Sequence, residues 1–444
     1  MIKNRSLSGL LVCSLLVTSI SWLLVGCDRQ EKVVSKKSII SELDVWVHTG
    51  DKNALLLLQD QVARFNAIHS RIEITLISVP KGTYNAQIDA AIRTDTLPDI
   101  IELNSAYLAN FAERGALIKL DKFLTETTRL DILPAAFKQG MYHGRLYSLA
   151  TVSNSPVMYA RKSALLAVGY RIPVVSEEAW NIEEFEGLLE QLVKKGDYSA
   201  AVDLSLNQKK ESLTRMFHPI LLSGGGVMLD EQPPYKNSAV LNSAQNRAVL
   251  GRIQRWINDG YVDGNVDGQA FLNARVALSW GGLEKYRRYK ETFGDDLVVV
   301  PLPDFGAGSR RTQHVWGWGV TRTCEDTQAA MRFLEFLLQP DEVLLAAKAN
   351  AVLPATFSAL ARFDFLNDKL SLSEVVEEQK NGTIFSQLKS PLYPVMSDAF
   401  HKALIRIKNG ASVDVSLSSA VHMIDEGLNK FESERGNLEA EVTN

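Results

Sequence analysis

Between Leu43 and Leu103 the chain alternates three short β-type runs with two helical stripes, and that order leaves few folds open. Leu43 to His48 reads as a strand, after which Leu55, Leu58, Val62 and Phe65 recur at helical spacing. Ile72 to Ile77 is the second strand, Tyr84 to Ile92 the second helix and Ile100 to Leu103 the third strand. A βαβαβ start of this kind predicts an α/β protein with largely parallel sheets. A second series opens in the stretch Leu146 to Arg161. It continues with helices over Ile182–Leu192, Leu213–Leu222 and Ala244–Ile257 and strands over Ala200–Leu204, Val276–Trp280, Leu297–Pro301 and Val315–Thr321. The C-terminal third is helical, its last helix carrying Leu417, Val421, Ile424, Leu428 and Phe431 on one stripe. In 444 residues, two series of this kind predict two α/β lobes.

The N-terminus is of another character. Lys3 and Arg5 precede an apolar run from Leu10 to Val25 with no acidic residue before Asp28, the layout of an export signal. The run is shorter than the ~20 residues a spanning helix needs. Its end, Leu24-Val25-Gly26-Cys27, resembles the bacterial lipobox, which implies cleavage before Cys27 and lipid on its sulfur. Segment 1–26 is then a signal peptide, and 27–41 a lipidated cysteine with a polar tether. Cys13 leaves with the signal and Cys27 is lipidated, so Cys324 has no disulfide partner. The expected location is the cell envelope. That means the periplasmic face of the inner membrane in a Gram-negative cell, where Asp28 resembles an inner-membrane retention signal, or the outer face of the cytoplasmic membrane in a Gram-positive one.

Charge and motifs narrow the function. With 48 basic against 52 acidic residues the chain has no basic field for nucleic acid. It carries no GxxxxGK[ST] loop, no GxGxxG after a strand, no GxSxG elbow and no metal-protease histidine spacing. Asp263-Gly264-Asn265-Val266-Asp267-Gly268 fits half of a calcium loop, but the twelfth position is Ala274 where a bidentate carboxylate is needed. A polar turn is the expectation there, with no metal and no cofactor.

Several segments, in order, resemble the carbohydrate-type extracellular solute-binding proteins of ABC importers, the family of the maltodextrin-binding protein. They are Val45 to Lys52 with its Gly50-Asp51-Lys52 turn, Leu97-Pro98-Asp99-Ile100-Ile101, Gly115 to Leu120, Tyr147 to Ala150 with Met158-Tyr159, and Ala179-Trp180 with Glu183 to Phe185. His218-Pro219 through Gly225, Ala274 to Leu278, Val298 to Pro303, Trp316 to Val320 and Leu353-Pro354-Ala355 complete the series. The resemblance implies a two-lobed periplasmic-binding-protein fold of type II, with a ligand cleft between lobes joined by hinge strands. Lobe 1 is expected over 42–151 plus 305–365 and lobe 2 over 152–304 plus 366–434, with 435–444 as a tail. The hinges are expected near Thr151–Ser153, Leu302–Asp304 and Phe365. Leu103, Ala106, Tyr107, Ser153 and Arg215 stand where the maltodextrin binder has its own sugar contacts, so the likeness does not extend to that ligand.

A sugar offers ring-edge hydroxyls and an apolar face, so its pocket needs planar aromatics beside convergent polar groups. Ligands of open α/β sheets sit beyond the carboxyl ends of strands, which puts Thr49, Gly50 and Asp51 with Lys52 after the first strand and Glu102, Asn104 and Ser105 after the third. The resemblance sets Ser153, Asn154, Arg215, Trp280 and Gly281 on the opposing lobe and Trp316 with Gly317 on the return crossing. Tyr84 and Tyr393 complete the candidate set. Asp51 suits a helix N-cap as well as a ligand, Trp280 and Trp316 suit a core as well as a sugar platform, and Arg215 suits a surface ion pair or an acidic sugar. Trp46, Trp180 and Trp256 read as packing residues.

The function expected is capture of a carbohydrate, an oligosaccharide or substituted sugar, by a monomer anchored through Cys27. It would deliver this ligand to the transmembrane subunits of an ABC permease, without catalysis. Two further readings remain open, a ligand-binding component of a sensory system and a binder of a non-sugar solute such as a glycerophosphodiester; an extracellular hydrolase is more remote.

Overall fold

Leu43, Val45 and Val47 alternate with outward residues, so one face of the first strand, β1 (Ser41–Thr49), is buried. It pairs in parallel with β2 (Ile72–Pro80) on one side and β3 (Ile100–Asn104) on the other. The returning helix Lys52–Ile68 buries Leu58, Val62 and Phe65 against this sheet, and Tyr84–Thr94 buries Ile88, Ala91 and Ile92. Each such fully buried Leu, Ile or Phe contributes about 1.5–3 kcal/mol. The computed structural model describes residues 40–50, 52–195, 198–235, 238–363 and 372–442. The signal segment, Cys27 with most of its tether, Asp51 and Phe365 lie outside the described residues.

After a small hairpin, β4 (Met141–Tyr142) with β5 (Arg145–Leu146), the chain adds β6 (Leu149–Ala150) and then β7 (Val152–Ser153). It passes into a second sheet made of β8 (Pro156–Arg161), β9 (Val202–Asp203), β10 (Leu278–Gly282) and β11 (Leu297–Val300). It returns to the first sheet as β12 (Trp316–Val320), while β13 (Leu353–Pro354) pairs with β7. The first sheet has the order β2-β1-β3-β12-β6 and the second β11-β8-β10-β9. This is the expected two-lobed α/β architecture, but the sheets are less parallel than expected. β12 runs antiparallel to β3 and β6, and β8 antiparallel to β10 and β11. The reason is the crossing: a strand that enters or re-enters a lobe from its neighbour arrives from the opposite end.

Three chain passes lie side by side between the sheets. Asn154 and His314 exchange backbone hydrogen bonds at 3.1 and 2.9 Å, and Gln313 N donates to Phe385 O at 2.9 Å. The pass at 151–155 coincides with the first expected hinge. The second falls at 311–315 and not at Leu302–Asp304, because Pro303 to Ala307 are tied to the second lobe through Ser223. The third falls near Phe385, since helix Ser373–Asn381, expected in lobe 2, packs on helix Pro134–Gly140 beside the first sheet. A buried polar cluster holds the passes together: Gln313 Nε2 donates to Ser153 Oγ at 2.6 Å and to Gln379 Oε1 at 2.7 Å. The last helix, Val413–Val442, buries Leu417, Ile424, Leu428 and Phe431 and runs through most of the expected tail.

In the half calcium loop the carboxylates meet an arginine. Arg275 pairs with both Asp263 and Asp267, at 2.9 and 2.7 Å, and Asn265 Nδ2 donates to Asp203.

Candidate ligand-binding site

The carboxyl ends of β1 and β3 lie next to each other because the two strands are parallel neighbours, and this brings His48 to Glu102. His48 Nδ1 donates to Glu102 Oε2 at 2.7 Å, and the His48 backbone N–H reaches the same oxygen at 3.3 Å. β12 then lays Trp316 opposite Asn104, and its indole stacks on the His48 ring with centroids 3.8 Å apart and planes 21° from parallel. Tyr84 stands edge-on to both rings, its hydroxyl directed at the carbonyls of Glu102 and Trp46 at 2.6 and 2.9 Å. Burial holds that phenol well above its ordinary pKa, so it stays a donor. Gly50 makes room for the arrangement, since a Cβ there would lie 2.7 Å from His48 Nε2.

Opposite this wall, helix Glu211–Ser223 presents Arg215, whose Nη1 donates to His314 Nε2 at 2.7 Å. Burial, and the positive charges of Arg215 and Lys81, hold the His314 imidazole well below its usual pKa, so it is neutral and can accept. Asn154 Nδ2 donates to Glu284 Oε2 at 2.8 Å. Together these groups line a cleft of about 380 Å³ whose walls come from the first sheet and its helices, from Arg215 and Glu284 of the second lobe, and from the passes between the lobes. Half-buried Trp316, with His48 behind it, gives the cleft a flat aromatic face, and Glu102, Lys81, Asn154, Arg215 and Glu284 give it hydrogen-bonding groups of both signs.

Of the residues expected from the sequence, Gly50, Glu102, Asn154, Arg215 and Trp316 line this cleft. Thr49 and Lys52 are exposed beside it without lining it. The other described ones have structural partners. Trp280 is 1% exposed, and its Nε1 donates to Met216 O at 2.7 Å. Gly281 pairs with Val157 of β8 inside the second sheet. Tyr393 is buried and accepts from Gln387, Ser153 is consumed by Gln313 and Gln379, and Ser105 Oγ accepts from Val315 N. Asn104 Oδ1 caps the turn after β3 by accepting from Ala106 N at 3.0 Å. Tyr84 supports the aromatic face from beneath, and Gly317 is a buried strand position.

His48, Lys81, Glu284 and His314 were missed. Lys81 follows the end of β2, where the strand-end rule points, and His48 is two residues before the named turn. Glu284 follows the end of β10, where the same rule points, whereas His314 reaches the cleft through the second pass, for which the sequence has no local sign.

Two α/β lobes joined by three passes, with a polar and aromatic cleft between them, define a solute-binding protein. Residues 60–370 match the profile of the bacterial extracellular solute-binding proteins, and the chain belongs to this family. An uncharacterized lipoprotein from the oleD 5′ region of Streptomyces antibioticus is 20% identical over 346 residues, 76% of this chain and 75% of that protein. The fold is shared with an ABC substrate-binding protein of Listeria monocytogenes solved with cycloalternan (TM-score 0.72, 16% identity, 88% of this chain and 99% of that one). It is shared also with the sugar-binding protein MalE of Xanthomonas citri (TM-score 0.72, 18% identity, 88% and 98%).

Proposed function

We propose that this protein captures a carbohydrate in the cleft between its lobes and delivers it to an ABC permease. The observation that carries the reading is the Trp316 face, stacked on His48 and flanked by Glu102, which meets the demands of a sugar ring: an apolar plane beside hydroxyl-binding groups. The sugar-binding proteins that share the fold support it. A ligand touching both walls stabilises the closed arrangement by its differential affinity, and the three passes are where the lobes would rotate. Lipid on Cys27 would keep the protein beside the permease, a reading supported by the lipoprotein relative. Binding without turnover is the expected behaviour.

Calorimetric titration of the purified protein with a panel of oligosaccharides and substituted sugars, followed by product analysis, tests this. Saturable binding of an unaltered sugar that Trp316→Ala weakens is the expected result; a panel without any binder, or a ligand consumed, would sink it.

A further inference from the structure

Positive charge converges near His314 from both walls of the cleft without a counter-ion. Arg215 spends a donor on His314, and Lys81 lines the same cavity just past β2. Among the described residues neither forms a salt bridge. Arginines elsewhere in the chain behave differently. Arg311, 6% exposed at the second pass, is neutralised by Glu378 at 2.5 Å and Glu374 at 3.1 Å, and Arg275 by Asp263 and Asp267. At Arg215 a neutral imidazole, itself 6% exposed, stands in place of such a carboxylate. It orients the guanidinium and leaves its charge uncompensated. The carboxylates of the cleft are turned elsewhere, Glu102 to His48 and Glu284 to Asn154. Two cations held this way repel each other and are costly to desolvate on cleft closure unless the ligand brings negative charge.

We propose that the ligand is an anionic saccharide, whose carboxylate or phosphate is received between Arg215 and Lys81 while its ring lies against Trp316. The guanidinium fork suits either oxyanion, and the lysine adds a second point charge. This rests on the carbohydrate reading and narrows it.

Titrations of the purified protein with digalacturonate against galactobiose, and with glucose 6-phosphate against glucose, test the proposal, with inorganic phosphate as a probe for the anion alone. One anionic sugar should bind at least about tenfold more tightly than its neutral counterpart, with a preference that falls as salt rises. The pair that responds tells carboxylate from phosphate. Lys81→Glu, at an exposed position, and Arg215→Gln, with its melting temperature checked, should each erase the preference. Equal binding of acidic and neutral sugars, or a preference that survives both substitutions, overturns the anionic ligand and leaves the carbohydrate reading intact. Binding of inorganic phosphate alone, or a silent panel, overturns both.

Discussion

The two walls of the cleft are built differently. The wall from the first sheet is a preassembled stack: Trp316 on His48, Tyr84 edge-on beneath, and Glu102 held by two donors from His48. The wall from the second lobe consists of Arg215 on one helix and Glu284 just past β10, and the lobe's Trp280 faces inward. What that wall offers the ligand is charge, through Arg215 and the neutral His314 that steadies it. The first wall supplies the aromatic face together with Lys81 and the second supplies Arg215, so Trp316 and Arg215 substitutions should fail in different ways.

The largest expected effect tests the assignment of the two tryptophans. Trp280→Ala removes a fully buried side chain and should cost about 3–5 kcal/mol of folding stability, seen by denaturant titration. A Trp280→Ala protein that unfolds like the parent but loses its ligand would reverse the reading of the second wall. Next comes acid. His218, buried in the second lobe, has its pKa lowered to about 4 by burial, whereas the unfolded chain takes up the proton near 6.5. The unfolded state therefore gains protons first as pH falls. Stability is complete above about pH 6.5 and should decline toward pH 4 by about 3 kcal/mol from this group. His218→Gln should flatten that part of a stability-against-pH curve, and an unchanged slope would show that the group titrates freely.

Trp316→Ala should leave the melting temperature nearly as it was and weaken sugar binding by about 2 kcal/mol, the scale of an aromatic anchor. The smallest effect is expected from Gly50→Ala, whose methyl group displaces the His48 ring; about 1 kcal/mol of affinity should go, with little change in folding. If Gly50→Ala binds as the parent does, the His48 stack is not part of the recognition surface.

The elements of the first sheet were legible because each is a local pattern. Leu43, Val45 and Val47 alternate, and Leu58, Val62 and Phe65 return at helical spacing, so strand and helix follow from the chain with no knowledge of its neighbours. The strand-end rule also named Gly50 and Glu102, which line the cleft. Trp280 and Trp316 look alike in sequence, each beside a glycine, yet one is core and the other a platform, because their strands meet different partners.

The sequence by itself determined the α/β class, the order of its elements and the export signature, all of which depend on composition and spacing within a few residues. Only the tertiary structure decided that β12 and β8 run antiparallel to their neighbours, that the second pass falls at 311–315, and that His48, His314 and Glu284 face one cleft. Those contacts join residues far apart in the chain, 99 positions for Arg215 with His314 and more than twice that for Trp316 opposite Asn104. Their geometry is set by register and packing across the whole chain, which leave no periodic mark in the residues themselves.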